Sequence, residues 1–563
     1  LSGQGSADSI LGVPASPWFL YLGLGGVVWG LFVPDQGLWH DDTQNLFRAF
    51  VAAERGEGLF PEIATPTRRL LGLPFIAARF SGWPVQALHL FSSAAWLATA
   101  LLAHGLARRL WPDRSLIAAV AGALTVCATP DFFTAAPVAV GYQLSIVLYL
   151  CAVLLGLVWL QRGSWRVLWA APLALSAALW TTDAPVGVWP LTPLLWAAAP
   201  GVQRHRGVSL GLLWFLAPVP YVMAVAREWA AGGGYLQQAL VPLGTGQWIA
   251  RFFDLLAWNL TPWRWALERP LWFPSAGSVV PASARWTMAL LVGAIAGWAL
   301  FRRAPSGDPT TRPGARGALA ALALMAAANA PFAGVQLAEF YCRTHLLSRV
   351  FASLALAWLI AAAWSRARGV ARGLVSAAGA AWLAFGVAGA LERQDYWVGY
   401  TRSHRQELSS ILDAAPALAT ETILVMRVPA HRHLLATEAG YLARAWTSLL
   451  YEDSSVECRT VLWSETRATA CAPEADGLAC RGERSPDCQH RNGQQTQILP
   501  YERLVVLEYR PGENRYALAE TLPAGWPAAA LYRPREQIRP GPRTPMASAL
   551  LDSSRGLAAW LWP

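Results

Sequence analysis

The chain has 563 residues, 55% of them hydrophobic and only 14% charged, with a mean hydropathy of +0.32. That balance sets aside an ordinary soluble domain and points to a membrane protein, and its 30 Trp suit an indole that sits at both headgroup levels. The formal charge is +10, but the basic residues, every one an Arg, lie in short connectors and not in one run, which argues against a nucleic-acid partner.

Residues 1–16 are small and polar and lack a basic stretch ahead of an apolar core. They read as a cytoplasmic segment, and the first apolar run as an uncleaved signal anchor. Eleven apolar runs follow one another, at 18–33, 85–107, 115–130, 144–160, 167–180, 185–199, 208–226, 286–301, 317–332, 346–364 and 373–391. The predicted fold class is therefore a polytopic α-helical membrane protein of about eleven transmembrane helices. The runs at 167–180 and 185–199 are short, joined by Thr181-Thr182-Asp183-Ala184 and interrupted by Pro190 and Pro193. A re-entrant hairpin there is the alternative, with nine crossings and unchanged parity.

Arg marks every alternate connector: Arg108, Arg109 and Arg114; Arg162 and Arg166; Arg204 and Arg206; Arg302, Arg303, Arg312 and Arg316; Arg366, Arg368 and Arg372. By the positive-inside rule these face the cytoplasm. The other set carries Asp41, Asp42, Asp131, Asp183, Glu268 and Glu339, which collects the acids on the outer face. Two outer loops are long, 35–84 and 228–285. Leu46, Phe47, Phe50 and Val51 in the first, and Trp248, Ile249, Phe252 and Phe253 in the second, recur at helical spacing. Both loops are expected to lie on the bilayer surface and roof a cavity within the membrane domain of residues 17–391.

From residue 392 to 563 the composition turns polar, and a mixed α/β extracytoplasmic domain is predicted, with strands at 422–428 and 504–509 and a helix at 433–450. Of seven Cys, Cys127, Cys151 and Cys342 lie in or beside spans, while Cys458, Cys471, Cys480 and Cys488 share one polar stretch. In an oxidising compartment those four favour two disulfides with three possible pairings, and their spacing lacks the close pairs of a structural zinc site.

The stretch that calls for chemistry is Leu38-Trp39-His40-Asp41-Asp42-Thr43. Adjacent carboxylates at the mouth of a membrane helix repel and are costly near hydrocarbon, so they suit a wet cavity, a cation site or an acid/base centre. The plainer reading has Asp41 capping a helix and Asp42 complementing its dipole. Asp131 joins them from the second outer loop, and one carboxylate of the set is placed to take the proton of an attacking hydroxyl. His40 is a further candidate for binding or proton transfer, and a divalent cation is one group the acids suit. Arg79, Arg264, Arg269, Arg343 and His345 on the outer loops are candidates to receive a phosphate, with snorkelling at the interface as the alternative for each Arg.

This layout resembles the GT-C membrane glycosyltransferases, of the protein O-mannosyltransferase and aminoarabinose-transferase type. The resemblance rests on His40-Asp41-Asp42 after the first span, Asp131 in the second outer loop, and a multi-span body followed by an outer domain. It implies a sugar moved from a polyprenyl-phosphate carrier, with inversion, to an acceptor that is a protein, lipid or glycan, and it implicates Asp41, Asp42 and Asp131 as catalytic. The competing expectation is a non-catalytic, membrane-anchored structural or interaction subunit with a disulfide-stapled outer domain.

Overall fold

The computed structural model describes residues 15–38, 40–54, 68–129, 140–230, 243–268, 278–302, 314–334, 345–428, 440–464, 471–481, 496–522, 526–527 and 531–552. The first span opens as α1 (Ala15–Gly25), passes through a π-helical turn at Gly26–Gly30 and ends in a 3-10 turn at Val33–Asp35, where Pro34 has no N–H with which to continue the helix. α2 (His40–Glu54) and α3 (Leu73–Arg79) come next, then α4 (Pro84–Leu110), α5 (Ser115–Cys127), α6 (Val140–Arg162) and α7 (Trp165–Thr181). They are followed by α8 (Thr192–Ala198), α9 (Arg204–Leu216), α10 (Val219–Ala230), α11 (Thr245–Leu260), α12 (Pro262–Leu267), α13 (Ala282–Arg302), α14 (Arg316–Asn329), α15 (Ser348–Arg366) and α16 (Gly369–Ala414).

Among the described residues seven helical segments are long and apolar enough to cross a membrane: Pro17–Asp35, Pro84–Leu110, Val140–Arg162, Arg204–Glu228, Ala282–Arg302, Ser348–Arg366 and Val370–Ala414. Four of the eleven predicted runs fall outside this set: α5, α7 and α14, which are shorter, and the run at 185–199. α5 and α14 have 13 and 14 residues, about 20 Å of helix against a hydrocarbon core of about 30 Å, and are packed into the bundle. The 185–199 run is no crossing. Pro190 and Pro193 divide it into the 3-10 turn Trp189–Leu191 and the seven-residue α8.

The connectors sort to two ends. Arg109 donates to Gln161 (2.6 Å), Gln161 to the Pro200 carbonyl (3.0 Å), Trp159 to the Arg206 carbonyl (3.1 Å) and Trp111 to the Gly314 carbonyl (3.0 Å). Four Arg-rich connectors are thereby drawn together. Elsewhere Arg68 pairs with Asp183 at 3.1 Å, joining the first long loop to the 181–184 connector.

α16 runs without a break through residue 391, where the composition turns polar, and its 46 residues span about 70 Å, roughly twice the hydrocarbon thickness. Beyond it lie β1 (Ala417–Leu418), β2 (Ile423–Val428), α17 (Gly440–Tyr451), α18 (Val456–Arg459), β3 (Thr460–Ser464), β4 (Cys471–Glu474), β5 (Gly477–Arg481), β6 (Thr496–Leu499), β7 (Leu504–Arg510), β8 (Arg515–Leu518), α19 (Pro534–Gln537), β9 (Ile538–Arg539) and α20 (Pro545–Leu551). The main sheet has the order β3-β2-β7-β8, with β2 parallel to both β3 and β7 and β8 antiparallel to β7. Side-chain alternation divides it. Leu424, Met426, Leu462, Val505 and Leu507 face one core, and Val425, Val461, Trp463, Leu504 and Val506 the other. A second, antiparallel sheet β4-β5-β6 carries the Cys471–Cys480 disulfide between register partners. The side chain of Cys458, and Cys488 entirely, lie outside the described residues.

α2 departs from the surface-lying expectation. Leu46, Phe47, Phe50 and Val51 are buried in one cluster with Leu408 and Ile411 of α16, Trp446, Leu449 and Leu450 of α17, and Met546 and Leu550 of α20. The apolar face thus meets protein and not lipid. α11 is different, with Trp248, Ile249 and Phe253 exposed, as an element resting on a bilayer requires.

Where α13 meets α16 the bundle holds a buried ion pair. Asp395, 2% exposed, pairs with Arg285 and accepts from Ser278 Oγ (2.7 Å) and from the amides of Val279 (2.8 Å) and Val280 (2.6 Å). Glu392 holds the other arm of Arg285 at 2.6 Å. The pair with Arg285 needs the carboxylate charge, whereas the two amide bonds need only an acceptor oxygen. Asp395→Ala is therefore expected to lower stability by about 3–5 kcal/mol, with Asp395→Asn losing less, as read from thermal unfolding of the purified protein in detergent.

Candidate functional site

The acidic stretch begins where the first span loses its regular helix. The π-turn and Pro34 leave backbone groups without helical partners, and α16 supplies substitutes. Gln394 Nε2 donates to the carbonyls of Val28 (2.7 Å) and Val27 (3.3 Å), while its Oε1 accepts from the Phe32 amide (3.3 Å). Two turns on, Thr401 Oγ1 accepts from the Gly37 amide at 2.8 Å, and His89 Nε2 of α4 donates to the Gly37 carbonyl at 3.0 Å. Glycine is required there, because a Cβ on residue 37 would stand 2.8 Å from Thr401 Cγ2.

Held in this way, the connector delivers Asp42 to the first turn of α2 with no solvent exposure (0%), beside the equally buried Thr43. Asp35, Gln36 and His89 are 5%, 2% and 3% exposed. The helix dipole favours a carboxylate at Asp42 by about 0.3–1 kcal/mol, reaching ~2 when partly buried. Burying the charge costs several. The dipole alone does not explain the placement. His40 and Asp41 share the same turn of backbone, and their side chains lie outside the described residues, as do Asp131, Arg269 and Arg343 entirely.

A second polar group forms around the start of α15. His345 is fully buried, its Nδ1 2.9 Å from Asn259 Nδ2 of α11, so that Nδ1 accepts and the neutral ring carries its proton on Nε2. Ser348 Oγ donates to Asn259 Oδ1 at 3.0 Å. Burial above all drives the His345 pKa down to about 3, the charge of Asp254 working against this and that of Arg349 with it. Arg349, also fully buried, donates to the Ala128 carbonyl at 2.8 Å and lies over the Trp96 ring. It therefore holds the point at which the chain leaves α5 toward Asp131.

The two groups meet at the π-turn. Val28 is bound by Gln394, and its neighbour Trp29 packs edge-on against Trp96, ring centroids 5.6 Å apart, beneath Arg349. Consecutive residues thus join the connector bearing Asp42 to the end of α5, where Ala128 stands three residues ahead of Asp131. π-turns are frequent at functional sites, where the extra residue re-aims the backbone.

The other predicted cations are placed differently. Arg79 ends α3 with its guanidinium 4.9 Å from the Phe50 ring, and its Nε has no hydrogen-bond partner among the described residues. Phe50 lies eight residues along α2 from Asp42, about 12 Å. Arg264 is tied to Asp254 (2.9 Å) and Glu268 (2.7 Å) and lies over Trp258. Burial works against its charge, but those two carboxylates more than reverse the effect and raise its pKa. Among the described residues no three His, Cys, Asp or Glu side chains gather as a metal site.

Sequence reasoning missed Asn259, Arg349, Gln394 and Thr401. Arg349 alone had a local signal, a charged residue inside the apolar run 346–364.

No family model matches the chain, and no curated protein matches it. Among solved structures, the crystal structure of ArnT from Cupriavidus metallidurans bound to undecaprenyl phosphate is similar at 14% identity and a TM-score of 0.40, over 80% of this chain and 86% of that one.

The His345 environment sets a pH dependence. The ring stays neutral in the folded protein down to about pH 3, whereas an unfolded His takes up a proton near 6.5. Its contribution to stability is thus complete above pH 6.5 and is lost as the pH falls from 6.5 toward 3. Melting temperatures of wild type and His345→Gln are expected to converge as the pH is lowered from 7 to 4.5, and a constant gap would contradict this assignment.

Proposed function

We propose that this chain is an integral-membrane glycosyltransferase that moves a sugar from a polyprenyl-phosphate carrier to an acceptor on the extracytoplasmic face, with inversion. The observation that carries the reading is the burial of Asp42 directly behind the first span, on a connector fixed from both sides by α4 and α16. A carboxylate removed from water and held still is suited to accept the proton of an attacking hydroxyl or amine. Asp41 is one residue away on the same turn, and Asp131 comes three residues after the Ala128 carbonyl that Arg349 holds.

In this reading the acceptor approaches beside Asp42 and attacks the anomeric carbon opposite the carrier phosphate. The acceptor's proton passes to the carboxylate as the new glycosidic bond forms. The bond from the anomeric carbon to the phosphate oxygen breaks, and its electron pair leaves with the phosphate. Positive charge from Arg79, Arg343 or Arg349 stabilises that departing oxyanion. The carrier's isoprenoid chain lies among the spans and the polar domain stands outside, with the Arg-rich connectors in the cytoplasm.

The test is turnover of undecaprenyl phosphate carrying mannose, glucose or arabinose by the full chain in vesicles, read as release of free carrier with membrane extract as acceptor. Asp42→Asn is expected to reduce the rate by about 10²–10⁴-fold, the usual loss on removing a general base. Its melting temperature is measured alongside, so that a slow but folded variant is distinguished from an unfolded one. Wild-type turnover in both Asp41→Asn and Asp42→Asn would reject the enzymatic reading in favour of a structural or interaction subunit.

A further inference from the structure

Beside the same connector, buried hydrogen-bond donors have no acceptor among the described residues. Gln36 is 2% exposed, and its Nε2 donates to nothing among the described residues. Arg405, half-buried on α16, has both Nε and Nη2 enclosed and likewise without a partner among the described residues. The two flank one hydrogen bond. Gln36 immediately precedes the Gly37 amide that Thr401 accepts, and Arg405 is one helical turn beyond Thr401 on the same face of α16. Each such donor costs about 1–3 kcal/mol, and more where it is charged, so the arrangement is expensive unless something accepts from it.

The surrounding charges decide what that is. Arg405 lies within electrostatic reach of Asp35 and Asp552, and acts in turn on His89. Asp552 is shared with Arg543 at 3.6 Å, which leaves Asp35 and Asp42 as the connector's own acids beside the Arg405 guanidinium, a mixed set that suits a neutral polar ligand better than a phosphate. A polyol is suited to the set: its oxygens accept from Gln36 and Arg405, and its hydroxyl protons are donated to carboxylates. Ring contacts from Trp397 to Tyr400, Tyr400 to His404 and His404 to Trp446 lay an aromatic row along this part of α16.

We propose that Gln36 and Arg405 are sugar-recognition residues, which hydrogen-bond the hydroxyls of the carrier-linked glycosyl group while the carrier phosphate is held elsewhere. This rests on the transferase reading and adds to it a specificity determinant contributed by the helix that enters the polar domain. A site built to donate to hydroxyls discriminates strongly against ligands lacking them, because its donors are otherwise left unpaired.

The experiment compares equilibrium binding of bare undecaprenyl phosphate with that of undecaprenyl phosphate bearing mannose, glucose or arabinose, using the full chain in lipid nanodiscs. In wild type at least one glycosylated carrier is expected to bind about tenfold tighter than the bare one. Arg405→Gln and, separately, Gln36→Leu are expected to remove most of that advantage while leaving the bare-carrier Kd within about twofold. Gln36→Leu changes no charge and keeps the test decisive if Arg405→Gln does not fold. Equal weakening of bare and glycosylated carrier would make Arg405 a phosphate receptor and overturn the inference, as would no change in either. A wild type that binds bare carrier but gains from no sugar sinks this inference alone. One that binds no carrier sinks the transferase reading with it.

Discussion

The constraint on which the rest depends is the satisfaction of backbone groups where the first span stops being a regular helix. Within or beside hydrocarbon an unpaired amide or carbonyl costs several kcal/mol, so a π-turn and a proline are tolerated only if neighbouring groups complete the hydrogen bonds. Gln394 and Thr401 do this from α16, and His89 does it from α4. Those three residues fix the path of the connector and hence the place where α2 begins. The position of Asp42 follows from a backbone requirement more than from any local preference of the acidic stretch.

Because Gln394 and Thr401 lie on the helix that continues into the polar domain, the membrane bundle and that domain are joined through the candidate site. The packing of α2 strengthens the junction. Its first turn carries the acids, and its apolar face, from Leu46 to Val51, is buried against α16, α17 and α20. A displacement of the polar domain would have to move either the connector or α2. The domain is thus part of what orients the acidic stretch.

How much of this was legible in the sequence depended on whether the signal was local. Membrane class and the positions of most helices followed from apolar run length, and strands at 423–428 and 504–510 from β-branched runs bounded by turns. Short runs misled where prolines cut them, as at Pro190 and Pro193. The face of α2 could not reveal its partner, since a 3.6-residue period looks the same against lipid and against protein. The residues that build the site were hidden for a different reason. Gln394 meets Phe32 across 362 positions and Arg349 meets Ala128 across 221, and no pattern in one stretch encodes a contact with the other. Cys471 and Cys480 were legible as disulfide candidates, while their pairing needed the register of β4 and β5.

The outer cations differ in what their environments leave them able to do. A guanidinium flanked by two carboxylates, as Arg264 is, contributes little net positive potential to its surroundings, and a His345 kept neutral by burial contributes none. Their value is to the shape of the site: Arg264 ties α12 to α11, and His345 ties the start of α15 to Asn259. Arg349 is placed otherwise. It donates to the Ala128 carbonyl and lies over the Trp96 ring, contacts that fix its guanidinium at the end of α5, three residues ahead of Asp131. Gln394 and Arg349 thereby act on neighbouring residues of one π-turn, the first through the Val28 carbonyl and the second over the Trp29 ring, so a small backbone irregularity couples the end of α5 to the connector that carries Asp42.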